Sequence, residues 1–226
     1  MKAMILAAGR GERMRPLTDR TPKPLLEVGG ERLLERHLRR LSAAGFTKIV
    51  INLSWLGSQI RQAIGNGQRF GVEVRYSDEG PTALETGGGI FKALPMLGRG
   101  PFLVVNGDIW TEQPLALAPL AADALAHLVM VPNPPQHARG DFGLEGGRLS
   151  ESAADRYTYS GVGVFRREFF AGCEPGRFPL LPLLKRAIHD GRVSGELFRG
   201  RWFDVGTPER LAALDAEFRA QAGGRS

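Results

Sequence analysis

A single cysteine, Cys173, in 226 residues leaves no internal disulfide and no zinc site built from several thiolates, which fits a reducing compartment. No apolar stretch approaches the roughly 20 residues of a membrane span. The apolar run after Lys2 is also too short for a secretory leader, so a cytoplasmic protein is expected. Lysine is scarce: 25 of the 30 basic residues are arginines, scattered from Arg10 to Arg225. A net charge of +6 could suit nucleic acid, but no lysine-rich block or interleaved aromatic run accompanies it. The charge therefore reads as solvated surface, with neither nucleic acid nor membrane as partner. His37, His127, His137 and His189 lack metal-ligand spacing, and His37, among leucines, reads as a packing residue. No repeat or linker marks a second domain; one core over residues 1–222 is expected, with a flexible tail at 223–226.

What the chain does have is concentrated in its first thirty residues. Met4-Ile5-Leu6-Ala7-Ala8 reads as a buried strand that opens into Gly9-Arg10-Gly11-Glu12-Arg13-Met14-Arg15-Pro16-Leu17-Thr18, with Thr21-Pro22-Lys23-Pro24-Leu25 behind it. Small residues at Ala7, Ala8, Gly9 and Gly11 let the backbone approach a ligand and offer N–H groups, including that of Glu12, to phosphates. Arg13 and Lys23 add fixed positive charge. The commoner glycine loops do not fit. Only Arg10 separates Gly9 from Gly11 and no Gly-Lys-Ser/Thr follows, which excludes the Walker pattern. The third glycine of the dinucleotide pattern would fall at Met14, and Arg15-Pro16 disfavours the helix that pattern needs.

Beyond this loop, Leu33, Leu34, His37, Leu38 and Leu41 recur at helical spacing before a buried strand at Lys48–Leu53. Helix from Trp55 to Ala63, strand Val72–Tyr76, helix Gly88–Leu97 and strand Phe102–Val105 follow. Such alternation predicts an α/β, Rossmann-like three-layer sandwich with a mostly parallel central sheet. A short helix near Leu115–Leu120 and a strand His127–Val131 come next. The polar segment from Asn133 to Arg156 holds short strands around Phe142–Leu144 and Arg148–Leu149. A strand Tyr159–Phe165, a helix Leu180–His189, a strand or hairpin Leu197–Phe203 and a closing helix Pro208–Phe218 capped by Thr207 complete the reading.

Two carboxylates fall just past apolar strands, where open α/β sheets gather ligands: Asp108 in Asn106-Gly107-Asp108, and Asp204 in Trp202-Phe203-Asp204-Val205-Gly206-Thr207-Pro208. Two hard oxygen ligands from separate elements suit Mg²⁺, which keeps waters and completes its octahedron with substrate phosphates.

Taken in register, Leu-Ala-Ala-Gly, Gly-Glu-Arg-Met, Pro-Leu-Thr and Pro-Lys-Pro-Leu resemble the signature of the sugar-1-phosphate nucleotidyltransferases, and the likeness extends from Met1 to about Ala220. It implies a nucleotide-diphospho-sugar transferase fold, Asp108 and Asp204 as the metal pair, and a phosphate cradle of Ala8, Gly9, Gly11, Glu12, Arg13 and Lys23. The segment Leu84-Glu85-Thr86-Gly87-Gly88-Gly89-Ile90 resembles the family motif that packs its backbone, Gly87 included, against the base and ribose; Glu85 stands where the family usually has glycine. Glu79 takes the place of the family's upstream Gln or Glu. Arg139-Gly140-Asp141-Phe142 and Val-Asn-Gly-Asp are similar to members that imply UTP as donor and N-acetylmuramate α-1-phosphate as acceptor in peptidoglycan recycling. Asn106, Asp141 and Glu151 are then the implied sugar contacts. Many members hold the sugar phosphate with the lysine of a Glu-Lys-Pro segment, which Glu151–Ser160 does not supply. A guanylyl- or thymidylyltransferase on mannose or glucose 1-phosphate stays open, as do a non-catalytic nucleotide-sugar sensor and an RNA-binding protein; the oligomeric state is not specified.

Overall fold

The structure is a computed structural model that describes residues 1–116 and 118–223, with side chains as far as residue 220. Its strands are β1 (Lys2–Leu6), β2 (Glu27–Val28), β3 (Glu31–Arg32), β4 (Lys48–Leu53), β5 (Glu73–Asp78), β6 (Phe102–Asn106), β7 (Ile109–Thr111), β8 (Ala126–Val131), β9 (Phe142–Glu145), β10 (Arg148–Ser150), β11 (Arg156–Phe165), β12 (Val193–Leu197) and β13 (Trp202–Asp204). The α-helices are α1 (Leu33–Ala43), α2 (Gly57–Ile64), α3 (Glu85–Leu97), α4 (Leu181–His189) and α5 (Pro208–Gly223). Of the tail expected at 223–226, Gly223 instead closes α5, and residues 224–226 lie outside the described residues.

Nine strands form one sheet in the order β5-β4-β1-β6-β11-β8-β12-β10-β9. The alternation of side chains along β1 explains its place at the centre: Ala3 and Ile5 join one core, with Leu34, Leu38, Leu41 and Ile60 of α1 and α2, while Met4 joins the other, with Ile90, Leu94, Leu184 and Ile188 of α3 and α4. Helices thus cover both faces, giving three layers in a mixed α/β fold. The expectation of a mostly parallel sheet holds only on one side. The pairs β5–β4, β4–β1, β1–β6 and β12–β8 are parallel, whereas β11 runs antiparallel to both β6 and β8, and β10 to both β12 and β9. The start of β11 also pairs with β9, folding that end of the sheet back on itself. A third apolar cluster, Val28, Leu33, Trp110, Val205 and Leu214, seats α5. Its Thr207 Oγ1 accepts the N–H of Arg210, the anticipated cap.

Three local expectations need correction. The helix near Leu115–Leu120 does not form among the described residues, because Pro114 and Pro119 push their predecessors out of helical geometry; Arg166 satisfies the carbonyls of Leu120, Ala121 and Ala124 instead. Residues Leu197–Phe203 are no hairpin: β12 ends at Leu197 beside β8, and β13 pairs with β7 in a separate two-stranded sheet. Helix α2 starts at Gly57, since Leu56 is left-handed at φ 52° and Trp55 donates its indole N–H to Thr18 O at 3.0 Å.

Candidate active site

Strands β1, β4 and β6 end at one edge of the sheet, with Leu6 level with Asn106 and Asn52 immediately beyond the Ile5–Ile51 pair. Chain leaving β1 forms the glycine-rich loop. Gly11 has φ 67°, and a β-carbon there would stand 2.9 Å from Thr18 Cγ2, so both conformation and space demand glycine. Thr18 Oγ1 donates to Gly11 O at 2.7 Å and Met14 is buried, which folds the loop back on itself; Arg10 stacks over Trp55 at 4.6 Å. Among the described residues, the backbone N–H groups of Gly9 to Arg13 meet no acceptor. A run of open donors beside the exposed Arg13 is what an anionic ligand needs.

Below the loop lies a cleft of about 200 Å³ lined by Leu6, Ala8, Gly9, Lys23, Asn106 and Asp108 among others. The Lys23 ammonium sits 2.5 Å from Asp108 Oδ2, and the lysine side chain is only 9% exposed against 37% for the aspartate. Gly107 brings the chain around tightly, its N–H donating to Leu6 O at 2.9 Å. Asn106 is accommodated because Gly161, at φ 82°, has no β-carbon; one would fall 2.7 Å from Asn106 Cγ. Antiparallel pairing of β7 with β13 sets Asp204 opposite Ile109, and Val205 N–H donates to Asp108 O at 3.0 Å. The two predicted metal ligands therefore stand on adjacent strand ends. Their side chains differ in surroundings: Asp204 pairs with Arg210 and borders a second hollow with Trp202, Phe203 and Pro134. Beneath Asp108, His37 is buried, and burial first, then the neighbouring Arg40 guanidinium, lowers its pKa to about 4.

The wall opposite Lys23 comes from the start of α3. Glu85 adopts φ 61°, the conformation that glycine would take there without cost, and its Oε1 meets Arg177 Nε at 2.9 Å. Gly87 and Gly88 are bare because chain 176–178 packs on them: β-carbons would come within 2.6 Å of Phe178 and 2.2 Å of Gly176 O. Phe178 N–H donates to Leu84 O and Gly88 N–H to Phe178 O, a two-point clamp. Gly87 thus faces Phe178, while Ala83, Glu85 and Thr86 line the cleft.

The predicted sugar contacts scatter. Asn106 lines the cleft. Asp141 Oδ2 accepts the Tyr159 N–H at 2.7 Å, which ties the loop to β11, and Oδ1 lies 3.1 Å from His137 Nε2 within the same loop. Glu151 is exposed and pairs with Lys185 at 3.0 Å. Sequence reasoning missed the counter-cations Arg210 and Arg177, and it missed Asn52. The last had a legible signal, an amide inside the otherwise apolar run Ile49–Leu53.

Two carboxylates stand on neighbouring strand ends, each held by a cation and each bordering a different hollow, and among the described residues no group of three or more His, Cys, Asp or Glu gathers into a metal site. Residues 2–144 match the model of the nucleotidyl transferase family, and the chain belongs to that family. It is 51% identical, over 96% of its length and 97% of the relative's, to N-acetylmuramate alpha-1-phosphate uridylyltransferase of Neisseria meningitidis serogroup B. The enzyme of the same name from Caulobacter vibrioides is 38% identical over 95% of both chains. In fold it resembles a putative glucose-1-phosphate thymidylyltransferase from Bacillus anthracis, with a TM-score of 0.84 at 21% identity over 97% of this chain and 95% of that one. No helix among the described residues is long and apolar enough to cross a membrane.

Proposed function

We propose that this chain, as one catalytic domain over residues 1–222, transfers the uridylyl group of UTP to N-acetylmuramate α-1-phosphate in cytoplasmic peptidoglycan recycling. Near-complete coverage of two uridylyltransferases, at 51% and 38% identity, carries the reading. A phosphate oxygen of the sugar 1-phosphate forms a bond to the α-phosphorus of UTP as the bond to the bridging oxygen of the β-phosphate breaks, releasing pyrophosphate and a UDP-sugar. No protein nucleophile is needed, since the attacking phosphate is already ionised near neutral pH. The task is to bring two anions together, so positioning and charge neutralisation dominate.

The open N–H groups of Gly9–Arg13, with the cradle residues Ala8, Gly11 and Glu12, hold the triphosphate, Arg13 grips the leaving phosphates and Lys23 supplies a point charge from the cleft floor. Asp108 and Asp204 are the residues that hold Mg²⁺, whose chemistry, once bound, is to neutralise charge on the phosphates. Thr86, with Gly87 behind it, forms the base-side wall, and Asn106 faces the sugar. Asp141 acts on the sugar side by fixing the loop against Tyr159, with Glu151 further out on the same rim. The test is pyrophosphate release with Mg²⁺ from each NTP crossed with N-acetylmuramate, N-acetylglucosamine, glucose and mannose α-1-phosphates. Release confined to UTP with N-acetylmuramate 1-phosphate supports the assignment; release with a different pair, or none, overturns it.

A further inference from the structure

A buried polar chain through the cleft lining, where Asn52 and Glu79 both stand, has no part in the chemistry above. Ala7 donates its N–H to Asn52 Oδ1 at 2.7 Å, Asn52 Nδ2 donates to Glu79 Oε1 at 2.7 Å, and Leu84 donates its N–H to Glu79 Oε2 at 2.6 Å. Asn52 is 3% and Glu79 7% exposed. The two ends of this chain are the two halves of the site: Ala7 is where β1 becomes the phosphate loop, and Leu84 precedes the cleft-lining Glu85 and Thr86. Helix α3 is cut away for it. A β-carbon on Gly89 would stand 2.5 Å from Glu79 Oε1 and 3.1 Å from Asn52 Nδ2. Glycine in a helix interior is disfavoured relative to alanine, so the space left for this pair opposes local propensity.

We infer that Asn52 and Glu79 are positioning residues that lock the phosphate side and the base side of the nucleotide site into one unit. The Ala7 hydrogen bond sets the peptide plane from which the following N–H groups project. The Leu84 hydrogen bond does the same for the turn into α3. Because one carboxylate and one amide join them, a displacement at either end is transmitted to the other. The inference rests on the cleft being the UTP site.

Donor and acceptor directions supply the test. Asn52→Asp sets two carboxylates face to face, and Glu79→Gln leaves an amide N–H aimed at either the Asn52 amide or the Leu84 N–H. The double variant, Asn52→Asp with Glu79→Gln, restores every partner with the middle bond reversed. The amide N–H at position 79 then donates to the carboxylate at position 52, that carboxylate still accepts from Ala7, and the amide oxygen at position 79 accepts from Leu84. Each single variant is expected to raise the KM for UTP about tenfold or more, the scale of a buried hydrogen bond to a charged group, and the double to return within about threefold of wild type. Thermal melts establish that the variants are folded. A folded double variant no better than the worse single, or folded singles with unchanged KM, overturns the inference. Restored melting temperature without restored KM reduces the pair to structure and also overturns it. A wild-type chain that consumes no UTP fails the functional reading and takes the inference with it, an outcome visible before any variant is made.

Hydrogen exchange on the wild-type chain decides the matter if the single variants do not fold. Pyrophosphate with Mg²⁺, which carries no base, is expected to slow exchange at Leu84–Gly88 as well as at Gly9–Arg13. Slowing confined to Gly9–Arg13 contradicts the coupling.

Discussion

Breaking the Lys23–Asp108 pair from its two sides should give unequal results. Asp108→Asn retains an oxygen that can accept from the ammonium, but it removes the counter-charge of a lysine whose side chain is only 9% exposed. Breaking a fully buried pair costs about 3–5 kcal/mol. Since the Asp108 side is 37% exposed and solvent screens it, about 2 kcal/mol is the appropriate scale here. For a chain of this size that corresponds to a fall in Tm of about 4–8 °C. Lys23→Met removes the buried cation and leaves an aspartate that water can reach, so its cost should stay below about 1 kcal/mol. Thermal unfolding without metal measures the difference, and pyrophosphate release measures turnover. Both variants should lose roughly a hundredfold or more in turnover, the scale of one electrostatic contact at the reacting phosphates. A Lys23→Met protein less stable than Asp108→Asn would refute the reasoning about which partner is buried. Near-normal turnover in Asp108→Asn would remove it from the metal site.

His37 titrates at about 4 in the folded chain against 6.5 when unfolded, so between those values the folded state binds fewer protons and the stability present above pH 6.5 is lost as pH falls. The loss should approach about 3 kcal/mol between pH 7 and pH 4 in urea unfolding, and a His37→Leu variant that kept the same slope would contradict it. Gly161→Ala should destabilise by about 1–2 kcal/mol through its φ of 82° and raise the KM for the sugar 1-phosphate by displacing Asn106; an unchanged KM removes Asn106 from the sugar side. Glu85→Gly relieves a left-handed residue at about 1 kcal/mol and forfeits an ion pair with Arg177 whose partners are 63% and 37% exposed. Its Tm should therefore hold or rise by up to about 3 °C, and a clear fall would assign the side chain a larger structural role.

Much of the site was legible because its residues sit where periodicity changes. The stripe Leu33, Leu34, His37, Leu38 and Leu41 is buried along α1 as its spacing implies, and the runs in β1, β4 and β6 are the strands whose ends form the cleft. The tight turn at Gly11 was readable from composition, because its loop of small residues allows close backbone approach and a positive φ. The direction of β11 was not, since a buried strand reads the same whether its neighbours run parallel or antiparallel. Nor were the ion pairs of Glu85 with Arg177 and Lys23 with Asp108, whose partners lie 92 and 85 residues apart and meet only through the fold. Asp141 shows a further limit: an aspartate in a loop reads alike whether it awaits a ligand or, as here, holds the backbone of Tyr159.

The most direct test of direct uridylyl transfer is incorporation of ³²P-labelled pyrophosphate into UTP, with and without UDP-N-acetylmuramate. Incorporation only when the UDP-sugar is present is the predicted result, because a single displacement has no uridylyl-enzyme to trap pyrophosphate. Incorporation without the sugar would contradict the absence of a protein nucleophile, and none under either condition would contradict the activity itself.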